Sequence, residues 1–377
     1  MLSKSLQKAM AVAQKNFDSE MVSMATESVG REIVSYSTGS LMLDMALGGG
    51  KRAGFPEGRM IELYGPESSG KTTTALIAIA ERQQIENDRL EEDPSYSKKF
   101  CVFVDAEHAL DMKLAEEYGV NLQELIIINP DTAERAMDAL DLFIRTGDVG
   151  LAVVDSVPAL VPSAMEESSY EQQFMALNAR FMSGVCQRMS GPLYKHKTTL
   201  IFINQIREQV GRWSPTGISE TTPGGRSLKY YATLRISVRR GESFKDENKE
   251  QSGHQMKYRI VKNKIYSPFK EASTNLMYGV GIDRVDEVFQ MALKVGHIRQ
   301  GGAWFSYIDN ETGEFLQIDG EEMKAQGREK MIELIRSTPL FYGELEDKIR
   351  GVEEIDMENM TDEEVEEYKA ANKEAGG

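Results

Sequence analysis

From Lys4 to Met24 the apolar residues Leu6, Ala9, Ala13, Phe17 and Met21 recur every three or four positions, the spacing of one helix face. A short extended piece, EIVSYSTG, follows. The chain then alternates compact apolar runs with helical patterns. MIELYG leads into a helix from Lys71 to about Glu86, and FCVFVD into one from Ala106 to Tyr118. LIIIN precedes a helix over Thr132–Thr146, LAVVDS precedes one that reaches about Tyr194, and TLIFINQ closes the series. Strands alternating with helices predict an α/β fold whose mostly parallel central sheet is covered on both faces.

Beyond that series the period changes to two. ATLRISVRR, MKYRIVKNK and STNLMYG read as antiparallel strands at one edge. A smaller mixed segment begins near Asp283 and runs to about Ile349. The expected division is therefore 1–36 as an N-terminal helix and strand, 37–283 as the main body, 284–349 as a C-terminal domain, and 350–377 as an acidic, disordered tail. One stretch resists the pattern. GRWSPTGISETTPGG, residues 211–225, has no helix or strand character and holds Trp213, one of two tryptophans. Loops longer than about 12–15 residues inside a compact domain tend to be functional or disordered.

Charge changes the picture only through its distribution. The net charge is −16, but residues 351–377 hold ten acids against two bases. Residues 224–270 hold twelve Lys or Arg against four acids. A basic block beside a detachable acidic tail is compatible with a polyanion partner, and equally with a solvated face. No apolar run approaches the roughly 18 residues that span a bilayer, and the first twenty residues lack a signal-peptide core. With only Cys101 and Cys186, both inside apolar patterns, a cytoplasmic, reducing compartment is expected.

The strongest chemical signal is GPESSGKT, Gly65–Thr72, between a predicted strand and a predicted helix. Backbone N–H groups of Gly65, Pro66's neighbour Glu67, Ser68, Ser69 and Gly70 would cradle phosphates at the positive end of the following helix. Lys71 would reach the β- and γ-phosphates of ATP, Thr72 would hold Mg²⁺, and Thr73 continues the turn. Asp155, ending LAVVDS, is by itself a helix cap; beside a phosphate loop it reads as the second Mg²⁺ contact. Past FCVFVD stand Asp105, Glu107 and Asp111. Glu107 is the candidate to activate water, provided its strand neighbours the phosphate-loop strand.

At this point the chain resembles the bacterial RecA-type recombinase family. The resemblance rests on STGSLMLDMALGGG, GPESSGKTT, VDAEHALD, VVDSVPAL, IFINQIRE, TTPGGRSLKYYATLRISVRR and YRIVKNKIYSPFKEA, in family order over about residues 37–310. It implies an ATP-dependent recombinase that forms helical filaments on single-stranded DNA and exchanges strands with duplex DNA. It implies that Glu107 is the catalytic glutamate and that Gln205 senses the γ-phosphate, where the residue alone is a surface amide. Lys262 and Lys264 resemble lysines that complete a neighbouring subunit's ATP site; their bland reading is charge on an exposed edge strand. Asp111 matches a residue near the adenine.

By the same resemblance, residues 206–226 form the second DNA-binding loop and about 163–175 the first. Arg207, Arg212 and Arg226 would contact phosphates, with Gly224 and Gly225 closing the loop and Arg180 following the first loop. Trp213 would wedge beside a base, or else pack on the surface. Leu114 stands where the family has a tyrosine near adenine, and residues 1–36 and those past 310 match poorly. These departures suit a divergent, phage-encoded member. A ring-shaped DNA motor on the same core, a non-catalytic ATP-gated filament and a small-molecule kinase are the rival readings.

Overall fold

The computed structural model describes residues 3–16, 33–48, 53–163, 171–209, 219–245, 249–309 and 312–351. The second half of the expected N-terminal helix, most of the first loop, Arg212 and Trp213, and the acidic tail lie outside these described residues.

Helix α1 (Lys4–Asn16) buries none of its residues, so its apolar face, with Leu6 and Val12, is open. Strand β1 (Ser35–Tyr36), helix α2 (Leu41–Leu47) and strand β2 (Phe55–Pro56) lead into the body, β1 pairing with β2. The alternating series follows as β3 (Met60–Gly65), α3 (Lys71–Glu92), β4 (Phe100–Asp105) and α4 (Met112–Glu117). Next come β5 (Leu125–Ile128), α5 (Ala133–Thr146), β6 (Val149–Asp155), α6 (Glu171–His196) and β7 (Thr199–Gln205). A short ribbon of β8 (Arg207–Gln209) and β9 (Ser219–Thr221) precedes α7 (Ser227–Tyr231). Then β10 (Leu234–Lys245), β11 (Gln251–Asn263), β12 (Glu271–Met277) and β13 (Gly281–Ile282) complete one nine-stranded sheet.

The sheet order is β13-β12-β11-β10-β3-β7-β6-β4-β5. From β10 to β5 neighbouring strands run parallel, and from β10 to β13 antiparallel. Strand β10 thus turns the sheet from one mode to the other. Side chains alternate between faces, and both faces are covered. Ile61, Leu63, Phe103, Val153 and Ile201 pack under α3, while Val102, Val104, Ala152, Val154 and Phe202 meet α5 and α6. Burial on both sides explains why the parallel strands read as nearly continuous apolar runs.

Two expectations change. The helix expected over Ala106–Tyr118 begins only at Met112, because the buried Asp105 carboxylate accepts from the Ala109 and Leu110 amides and holds 106–110 as a turn. Within GRWSPTGISETTPGG, Ser219–Thr221 is a strand, so the loop stands on a two-stranded base.

The C-terminal segment holds α8 (Arg284–Val295), β14 (Ile298–Gly301), β15 (Trp304–Tyr307), β16 (Gln317–Ile318), β17 (Glu321–Glu322), β18 (Lys324–Gln326), α9 (Arg328–Ser337) and α10 (Pro339–Arg350). Its own core gathers Phe289, Tyr307, Met331, Phe341 and Leu345, with Leu41 of α2 included. Buried polar contacts tie it to the body. Glu287 accepts from the Ser40 hydroxyl at 2.6 Å and the Leu41 amide at 2.7 Å, and burial pushes its carboxyl up to about 7. Arg350 reaches the buried Asp44.

Candidate nucleotide site and the adjoining loop

Strand β3 ends at Gly65, where a Cβ would fall 2.0 Å from the Val238 carbonyl oxygen. The chain then curls back to the start of α3. Gly70 caps that helix at φ +93°, in the left-handed region, and a Cβ there would meet Met256 Sδ at 2.3 Å. Only glycine suits both points. Between them Glu67 and Ser68 are exposed and Pro66 is half-buried. The Lys71 ammonium lies inside the curl and donates to the Pro66 carbonyl at 2.6 Å. Burial lowers its pKa, opposed by the charges of Asp155, Glu107 and Glu67. The Ser69 hydroxyl is buried and has no hydrogen-bond partner among the described residues. The first turn of α3 presents free N–H groups and the positive end of its dipole to the same space. A buried lysine, an unpaired hydroxyl and a helix N-terminus around one hollow fit a polyphosphate.

The Thr72 hydroxyl donates to Asp155 Oδ2 at 2.6 Å, joining α3 to the end of β6. Burial pushes the Asp155 carboxyl up to about 6; the Thr72 bond opposes the shift and Glu107 adds to it. An oxygen pair with a carboxylate that ordinary solvent does not satisfy suits Mg²⁺, a hard cation that prefers oxygen ligands.

Glu107 does not sit where the neighbouring-strand argument put it. Its strand β4 is separated from β3 by β7 and β6. It nevertheless turns toward the site. Asp105 pairs in register with Asp155, the Ala106 amide donates to the Asp155 carbonyl at 2.9 Å, and the Ser156 hydroxyl donates to Glu107 Oε1. Glu107 is otherwise exposed, so its second oxygen can face solvent. Asp111 caps α4, accepting from the Lys113 and Leu114 amides. Tyr118 bonds Thr73, which brings the end of α4 against the start of α3.

Gln205 is paired in register with Gly65, the first residue of the curl, and its side chain is exposed at the strand end. It begins the loop whose other end returns at Gly224 and Gly225, both at positive φ. A Cβ on Gly225 would meet Ala179 Cβ at 2.6 Å, so the loop's return is pressed onto α6, one residue from the exposed Arg180. Arg207 and Arg226 are exposed on either side of the loop.

Lys262 and Lys264 stand apart from this group. Lys262 pairs with Arg235, which pairs with Glu62, near the start of the parallel strands, whereas the phosphate curl is at their carboxyl ends. Their ammonium groups donate to carbonyls at the end of α7: Lys262 to Lys229 at 2.7 Å and Tyr230 at 2.9 Å, Lys264 to Tyr230 at 3.0 Å. Burial, the neighbouring Lys264 and Arg235 lower the Lys262 ammonium to about 8. Strand β11 pairs with β12 only from Gly253 to Arg259, so Lys262 and Lys264 lie beyond the part of the strand that β12 covers.

The model of the RecA N-terminal domain matches residues 4–283, about three quarters of the chain. The chain belongs to the RecA family. Protein RecA of Halalkalibacterium halodurans is 40% identical over 366 residues, 96% of each chain. Protein RecA of Cereibacter sphaeroides is 39% identical over 360 residues, covering 95% of this chain and 96% of its own. That of Bacillus mycoides reaches 43% over 309 residues, 82% of this chain and 85% of its own. No helix among the described residues is long and apolar enough to cross a membrane.

Sequence reasoning missed three polar residues near the loop: Glu62, Asn204 and Arg235. Glu62 and Asn204 are fully buried, and Arg235 donates to Glu62 at 2.5 Å. The missed signal was a carboxylate and an amide inside two apolar strands, MIELYG and TLIFINQ, where burial of a polar group demands a partner.

Proposed function

We propose that the chain is an ATP-dependent DNA recombinase, forming helical filaments on single-stranded DNA in the cytoplasm and promoting homologous pairing and strand exchange with duplex. Its family and the extent of its similarity to RecA proteins support this reading, as does one geometric observation. At the carboxyl ends of β3, β7, β6 and β4, Thr72 bonds Asp155, Ser156 bonds Glu107 and Gln205 lies in register with Gly65, and the strand ending in Gln205 leads directly into the loop.

Lys71 and the amides of 67–72 bind the phosphates of ATP, and Thr72 with Asp155 holds Mg²⁺. Bound Mg²⁺ neutralises charge gathering on the phosphate oxygens. Glu107, oriented by Ser156, takes a proton from the water that attacks the γ-phosphorus while the bond to the bridging oxygen breaks. Asp111 lies toward the base. Gln205 touches the γ-phosphate end and reports its state to the loop. Lys262 and Lys264 act in the site of an adjacent copy, which explains their distance from the chain's own phosphate curl. DNA is held by Arg180, Arg207, Arg212 and Arg226 on its phosphates, by Gly224 and Gly225 through backbone, and by Trp213 on a base. The open apolar face of α1 packs on the next subunit.

Electron microscopy with long single-stranded DNA, Mg²⁺ and a slowly hydrolysed ATP analogue tests the assembly. Continuous helical filaments that lengthen the DNA are expected; discrete rings or bare DNA would contradict it.

A further inference from the structure

The two ends of the loop, Gln205 and Pro223, are joined through one side chain. Asn204 Oδ1 accepts from the Gln205 amide at 3.0 Å. Its Nδ2 donates to the Pro223 carbonyl at 3.1 Å and to Glu62 Oε1 at 2.9 Å. The other Glu62 oxygen accepts from Arg235, whose guanidinium lies over the Tyr64 ring. The chain of contacts therefore runs from the loop through Asn204 into the centre of the sheet.

A hydrophobic pair would fill the same space without the cost of burying a carboxylate and an amide. Phe202, Met182 and Leu228 pack on the same face of the sheet. What an apolar pair lacks is direction: hydrogen bonds fix the angle at which both loop ends leave the sheet. The returning end is fixed a second time, because Gly225 passes Ala179 with no room for a side chain and Gly224 passes close to Val157.

We propose that Asn204 is a positioning residue for DNA-dependent turnover, tying both ends of the loop to the buried Glu62–Arg235 pair so that a displacement of the Pro223 end on DNA binding reaches Gln205. This rests on the recombinase reading. Without the tie, DNA still binds at the loop, but the Gln205 backbone is free to stay where it was.

The test compares wild type with Asn204→Asp and with the double variant Glu62→Gln/Asn204→Asp. Asn204→Asp removes the donor to both Glu62 and Pro223 and faces one carboxylate with another. The double variant keeps the wild-type charge count and returns a hydrogen bond between positions 62 and 204, with the donor now on 62. It still leaves the Pro223 carbonyl without its donor, so it isolates the tie even where the single variant fails to fold. Three quantities are measured: Mg–ATP affinity, turnover without DNA, and turnover against increasing oligo(dT). Affinity and DNA-free turnover are expected within about twofold of wild type in the double variant, with DNA-stimulated turnover down about tenfold. A merely structural role would lower all three together, and would overturn the inference. DNA-stimulated turnover within about fivefold of wild type in the double variant would also overturn it. Wild type without any DNA stimulation would instead bring down the recombinase reading on which the inference stands.

Discussion

The Thr72 hydroxyl and the Asp155 carboxylate meet at 2.6 Å across the gap between the phosphate curl and β6, the second strand from β3. The same carboxyl is pushed by burial to about 6, from an ordinary 3.8. A carboxyl raised in the folded state favours folding when protonated; that contribution is complete below 3.8 and disappears as pH rises through about 6. Mg²⁺ needs the ionised form. Mg–ATP affinity should therefore weaken as pH falls from 7.5 toward 5.5, and titration across that range checks it. Asp155→Asn should flatten the profile, lower turnover by about a hundredfold, and raise the melting temperature of the nucleotide-free chain at pH 7.5. Each pKa unit corresponds to about 1.4 kcal/mol, and partial solvation of Asp155 keeps the gain to roughly 1–2 kcal/mol.

Glu107→Gln retains the shape and the bond to Ser156 but cannot take a proton. Steady-state turnover should fall by about 10²–10⁴, the usual contribution of a positioned general base. Equilibrium binding of ATP should change little. Equal losses in both would show that Glu107 holds nucleotide rather than acting on water.

How much of this was legible in the sequence depended on whether a residue's partner lay nearby along the chain. Gly65, Gly70 and Lys71 could be placed because a strand–turn–helix crossing makes its own phosphate hollow from consecutive residues. Asp155 followed because a strand end beside that hollow is a narrow choice. Glu107 meets Ser156 beside Asp155, but not by the neighbouring-strand route: strand order is a long-range property, and β4 lies two strands further out than that argument requires. The turn at 106–110 was hidden for a related reason, since the Asp105 side chain supplies bonds that a helical periodicity does not register. Asn204 and Glu62 were invisible because they are partners of each other across 142 residues of chain, Glu62's other partner Arg235 is as remote, and each strand alone reads as apolar.

Lys262 and Lys264 are at the opposite end of the parallel strands from Lys71, which makes a shared site testable by mixing. Lys71→Ala alone and Lys262→Ala/Lys264→Ala alone should each be inactive in DNA-stimulated hydrolysis. Mixed in equal amounts, they should recover a fraction of wild-type turnover, because some junctions pair an intact phosphate curl with intact lysines. No recovery above the separate proteins would place both lysines in the chain's own site, or in none.

Trp213 offers a direct optical report on the loop, provided Trp304 is removed. In a Trp304→Phe protein, adding oligo(dT) with ATP should quench the remaining tryptophan emission as a base stacks on it, and Trp213→Ala should weaken DNA binding by about 1–3 kcal/mol. Affinity should also fall steeply with added salt if the arginines contact phosphates. Unchanged emission on a saturated filament would assign Trp213 to packing rather than to DNA.

The central claim is that ATP bound at this site drives exchange of DNA strands. The most direct measurement incubates the full chain with circular single-stranded DNA, homologous linear duplex, Mg²⁺ and ATP, and follows joint molecules and nicked circles by gel. The account predicts products that require homology and ATP and disappear with Lys71→Ala. Hydrolysis of ATP on DNA without any homology-dependent product would contradict it.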